Sequence, residues 1–174
     1  MKKFVPLLAL LALPAQAQDA QVYYASSTWP VHVSGNACSL NNAAPDESNN
    51  ALKVNYDSRA GEVVLTIETR DISSGLNATG ALSLGVVLLD NGTVKHDDGW
   101  SPRTFNYTHQ DGVTRFTTRI AGKRSARQFL SDLGTSRHLG LIYQGQAISS
   151  TSLSGVSPSL TRLDECSRQT FASR

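Results

Sequence analysis

The sequence predicts a mainly β fold, an antiparallel β-sandwich or open barrel of about eight or nine short strands with two short helices. Three observations carry this reading. Apolar residues recur at every second position in short runs, as a strand with one wet face requires. Turn-forming residues (Asn, Asp, Gly, Ser) separate those runs. Helical periodicity is confined to two late stretches, so strands do not alternate with the crossover helices of a doubly wound α/β fold.

Val22 to Tyr24 reads as an edge strand and Trp29 to Val33 as a second, within an otherwise polar and irregular stretch up to about Pro45. Asn41 to Asn50 has loop composition. Leu52, Val54 and Tyr56 then alternate with polar residues. Ser58 to Gly61 turns the chain, and Val63, Leu65 and Ile67 return it as the second arm of an antiparallel hairpin. Ser73 to Gly80 is a loop of small residues. Leu82, Leu84, Val86 and Leu88 share one face of the next strand, while Val87 and Leu89 make its other face apolar too, which places it centrally.

Asp90-Asn91-Gly92 suits the positive φ angles of a type I′ hairpin, with Thr93 to His96 as the return strand and Asp97-Asp98-Gly99 as its end. Phe105 and Tyr107 pair with Phe116, Thr118 and Ile120 around Gln110-Asp111-Gly112. Beyond Gly122, Ala126, Phe129, Leu130 and Leu133 form one stripe of an amphipathic helix that Gly134 is expected to stop. Leu139, Leu141 and Tyr143 return to period 2, Gln144-Gly145-Gln146 turns, and Ala147 to Leu153 is the last strand. Ser157 and Pro158 suit the N-cap and first position of a final helix bearing Leu160 and Leu163, with Cys166 near its end.

Residues 1–17 read as a secretory signal peptide: Lys2 and Lys3 as the positive n-region, Val5 to Leu13 as the apolar run, and Ala15-Gln16-Ala17 as the cleavage site. The run is too short for a mature membrane span, and the expected location is periplasmic or secreted. The rest, 18–174, is expected to be a single β-rich domain. The chain has 174 residues and a formal charge of +2 from 16 basic and 14 acidic side chains. Both surplus charges belong to the leader. A neutral domain has no electrostatic basis for tracking nucleic-acid phosphates or anionic membranes. Cys38 and Cys166 lie near the ends of this domain and, in an oxidising compartment, are expected to form a structural disulfide.

Sequence-local chemistry is sparse. His32, His96, His109 and His138 form no zinc spacing, and His96-Asp97-Asp98 reads as a solvated turn rather than a metal site. The Asp-Gly and Asn-Gly pairs lack the ligand spacing of a calcium loop. No Gly-x-Ser-x-Gly or Ser-x-x-Lys motif marks a nucleophile. Ser136 stands two residues from His138, and Glu62 and Glu68 fall on a wet strand face as ordinary solvated acids. No catalytic residue, metal ligand or cofactor is assigned.

The candidate binding surface comprises Trp100 with Asp97 and Asp98, and the basic cluster Lys123, Arg124 and Arg127 that opens the first helix. Trp100 is expected at the surface because Asp97-Asp98-Gly99 precedes it, and Trp29 in the core. The partner class is an envelope protein or ligand.

Trp29 and Cys38, alternating strands through the middle, and Ser152-Leu153-Ser154-Gly155 leading into a Leu-bearing final helix resemble small periplasmic proteins of the invasion-associated locus B type. The resemblance covers mainly the two ends of the domain. This chain departs from it in having one early cysteine and in carrying Cys166 on the final helix. The resemblance implies an exported protein and assigns no role to any residue. The expectation is therefore an exported envelope protein that acts by binding, as an inhibitor, accessory or interaction module. Two alternatives are a small hydrolase of envelope polymers, which needs a cleft where serine and histidine or paired carboxylates converge, and a carrier of a small apolar ligand, which needs an open apolar interior.

Overall fold

The structure is a computed structural model that describes residues 20–42, 50–70, 72, 76–90, 93–96, 100 and 102–172. The expected leader, the tip of the Asn91-Gly92 turn, and Asp97, Asp98 and Gly99 lie outside the described residues, as do 43–49 of the expected loop and 73–75 of the next.

The chain forms β1 (Gln21–Tyr24), β2 (Val31–Ser34), β3 (Ala37–Asn41), β4 (Ala51–Asp57), β5 (Glu62–Thr69), β6 (Thr79–Asp90), β7 (Thr93–His96), β8 (Arg103–Gln110) and β9 (Val113–Ala121). Helix α1 (Lys123–Thr135), β10 (His138–Tyr143), β11 (Gln146–Ser152) and helix α2 (Val156–Ala172) complete it. The fold class is the one the alternation predicts, with more strands. All ladders are antiparallel, in the order β1-β2-β3-β4-β5-β9-β8-β6-β10-β11, with β7 paired to β6. The sheet does not close into a barrel. The buried Asn50 donates through Nδ2 to the Ser150 carbonyl of β11 at 3.0 Å, so a side-chain bridge links the start of β4 to the outer strand β11.

Strand β3 is the main element that alternation failed to reveal. It has five residues, and only Cys38 and Leu40 face the core. β6 is an interior strand, third from the β11 end of the order rather than at its centre, and Val87 and Leu89 on its second face are only half-buried. Its first half pairs with β8 through Thr79 to Leu84, and its second with β10 through Gly85 to Leu89. At the β8–β9 turn Asp111 and Gly112 take φ 54° and 74°, which fits the type I′ geometry of an Asp-Gly hairpin.

The inner face packs Leu52, Val54, Leu65, Ile67, Phe105 and Phe116 against the helices, which contribute Phe129, Leu133 and Leu163. The outer face is polar. There Arg115 pairs with Glu68 at 2.7 Å and Arg119 with Glu62 at 3.2 Å across β9 and β5.

The helix boundaries differ from expectation. Gly134 lies inside α1 and does not end it; a Cβ there would stand 3.2 Å from Leu160 Cδ1, so glycine permits the close approach of α2. The end is made instead by Thr135 and Ser136, whose hydroxyls donate to the Asp132 carbonyl at 3.2 and 2.7 Å. Helix α2 starts at Val156, straight after Gly155 at φ 76°, so Ser157 and Pro158 sit in its first turn. Running to Ala172, it is not short, and Cys166 lies well inside it.

The disulfide joins Cys38 of β3 to Cys166 of α2, with Cα atoms 6.1 Å apart across 128 residues of sequence. Both cysteines are buried. Among the described residues no helix is long and apolar enough to cross a membrane.

Candidate functional site: a cationic groove between two helices

Trp100 is 7% exposed, which corrects its assignment to the surface. Its indole meets the edge of Phe129 at 5.1 Å between centroids, and its Nε1 donates to Asp132 Oδ2 at 3.1 Å. Gln128 Nε2 donates to the other carboxylate oxygen at 2.8 Å, and the Arg103 guanidinium lies 5.2 Å from the indole centroid. Burial lowers the Arg103 pKa from its ordinary value. Polar neighbours in sequence suggested an exposed indole; a buried carboxylate on α1 satisfies its N–H instead. Trp29 is in the core as expected, 2% exposed, with Nε1 donating to the Ser154 carbonyl at 2.9 Å.

Ser136 and His109, two of the groups a hydrolase would recruit, are engaged in structural bonds. The buried Ser136 hydroxyl donates to the Asp132 carbonyl. Thr114 Oγ1 lies 3.2 Å from the Ile72 carbonyl, to which it can donate, and is hydrogen-bonded to His109 Nδ1 at 2.9 Å. Glu62 and Glu68 are matched to arginines on the outer face. Among the described residues no group of three or more His, Cys, Asp or Glu is arranged to hold a metal ion.

Lys123, Arg124 and Arg127 lie exposed on the first two turns of α1, and two further elements converge on them. The β4–β5 turn reaches the start of the helix: Gly61, at φ +64°, leaves no room for a Cβ, which would fall 2.7 Å from the Lys123 Cα. That turn also touches α2, because the Ser167 hydroxyl accepts from the Ser58 N–H at 2.8 Å. The helices approach at the Gly134–Leu160 contact and are bridged at the other end by the β4–β5 turn.

Between them lies a groove of about 860 Å³. Tyr56, Leu130, Gly134 and Leu160 supply its apolar lining, and Arg59, Arg127, Asp164 and Arg168 its charges. A hollow of about 520 Å³ on the outer side of α1, lined by Lys123, Arg124, Arg127, Gln128 and Ser131, shares Arg127 and Ser131 with it.

Charge pairing singles out this end of the molecule. Arg115, Arg119, Arg137, Arg162 and Arg168 are ion-paired, the last to Asp164 at 2.7 Å. Among the described residues, the side chains of Arg59, Lys123, Arg124 and Arg127 have no ionic or hydrogen-bonding partner, and neither do those of Lys53 and Arg70. Four of these six cations therefore gather around one groove. The first turn of α1 adds no acidic residue and no side-chain cap to offset Lys123 and Arg124.

The basic cluster was legible in the sequence; Arg59, Arg168 and the apolar lining were not, because they come from separate segments that only the fold assembles. Asp97 and Asp98 lie outside the described residues. No protein-family model, curated protein or solved structure matches the chain.

Proposed function

We propose that the chain is an exported envelope protein, periplasmic or secreted, that acts by binding, as an inhibitor, accessory or interaction module, through the groove between α1 and α2. The cluster of partnerless cations around an apolar-lined hollow carries this reading. A soluble domain gains little stability from like charges held together, and their mutual repulsion is relieved when an anionic partner binds. Export is supported by the leader and by the buried Cys38–Cys166 bridge, which suits an oxidising compartment. The resemblance of the two ends to the invasion-associated locus B type belongs to the same proposal.

The alternatives are less well supported. Ser136 and His109 are held in structural hydrogen bonds, and the inner face of the sheet is filled by Phe105, Phe116 and Phe129, where a carrier needs space.

Site-specific cross-linking in the producing cell tests the binding site. A photoreactive residue at the exposed Ser131 is expected to give a discrete higher-mass adduct. One at Thr117, on the outer face of β9, is expected to give none. Adducts from Thr117 and none from Ser131 would move the working surface to the sheet.

A further inference from the structure

We infer that the groove takes an acidic polypeptide segment of a partner protein, one that presents carboxylates beside at least one apolar side chain; this rests on the groove being the working surface. Three features point to that occupant. First, the exposed Arg59 and Arg127 stand on two different elements at the end of the groove that the β4–β5 turn bridges, with Lys123 and Arg124 beyond them. A ligand bearing one point charge would leave most of this patch unmatched, whereas several carboxylates along a chain would match it. Second, among the described residues the only acid lining the groove, Asp164, is paired to Arg168 and leaves Arg59 and Arg127 to the ligand.

Third, the lining changes character along the groove. From Arg127 to Gly134 on α1 is about 10 Å and from Ser157 to Arg168 on α2 about 16 Å at the helical rise. That length accommodates about three to five residues of extended peptide. Leu130 and Leu160 line the stretch towards the Gly134 end. An apolar side chain seated there places neighbouring carboxylates at the cationic end. A polyphosphate or sulfated glycan would meet the cations and leave the apolar stretch unused.

The test is selection of a random octapeptide library on the purified, oxidised protein, followed by fluorescence-polarisation titration of the enriched peptides. The expected outcome is enrichment of Asp or Glu next to Leu, Ile, Val or Phe. The double reversal Arg59→Glu/Arg127→Glu is expected to weaken binding at least tenfold. Lys53→Glu/Arg70→Glu makes the same change in net charge away from the groove and is expected to stay within twofold. Matched circular dichroism spectra establish that both variants fold.

Equal weakening by the two variants, undiminished binding after Glu→Gln replacement in the peptide, or no acidic enrichment each overturns the inference. Polyphosphate or phosphatidylglycerol vesicles are titrated in parallel. If either binds in an Arg59- and Arg127-dependent way while acidic peptides do not, the peptide assignment fails and the groove remains the binding surface. If nothing binds and Ser131 gives no cross-link, both readings fail.

Discussion

Cys38 and Cys166 show how much a single bond can carry in this chain. Cross-linking residues 128 apart is worth about 5 kcal/mol in the chain-entropy treatment, and removal of a native bridge from a small exported domain typically costs about 2–5 kcal/mol. Cys38→Ala/Cys166→Ala is therefore expected to lower unfolding free energy by about 2–5 kcal/mol. Urea titration of the oxidised parent against the double variant measures it, and a change below about 1 kcal/mol would show that packing alone holds α2. The pairing was readable from the expected export of a chain with two cysteines. The burial of Trp100 was not, because its partner Asp132 lies in a later helix and nothing local announces a hydrogen bond across 32 residues.

Among the elements, the β4–β5 hairpin and α1 are each explained by their own periodicity, but their mutual placement depends on Gly61. Its positive φ and its contact with Lys123 both exclude a side chain. Gly61→Ala is expected to cost about 2–4 kcal/mol, combining left-handed strain with a steric clash. Gly112 offers the control, since its φ is +74° and nothing lies within 4 Å of a Cβ there. Gly112→Ala should cost only the backbone part, about 1–2 kcal/mol. Thermal or chemical unfolding of the pair separates the two effects; equal losses would mean that the turn does not brace the helix.

Element boundaries were legible where a strand alternates over its full length, as in β4, β5 and β9. Legibility failed at β3, where polar residues flank two inward side chains. It failed again at Gly134, where a glycine required for packing against α2 reads in sequence as a helix stop.

For the molecule as a whole, a formal charge of only +2 conceals an uneven distribution. On the outer sheet face Arg115 and Arg119 are paired with Glu68 and Glu62 and the Lys53 side chain is unpaired, while on the helical side Arg162 and Arg168 are paired and the side chains of Arg59, Lys123, Arg124 and Arg127 are not. Net charge was computable from composition, but its segregation required the fold. Interactions made by this exposed patch should weaken with added salt, since screening at about 0.15 M ionic strength acts over about 8 Å.

Retention of the protein by the envelope fraction of the producing cell, which the proposed function requires, is the most direct measurement of whether the cationic groove is the working surface. The parent and Lys53→Glu/Arg70→Glu are expected to sediment with that fraction at low salt and to be released together as salt rises. Arg59→Glu/Arg127→Glu should be released at every salt concentration. Retention of the groove variant to the same extent as the parent would contradict the account.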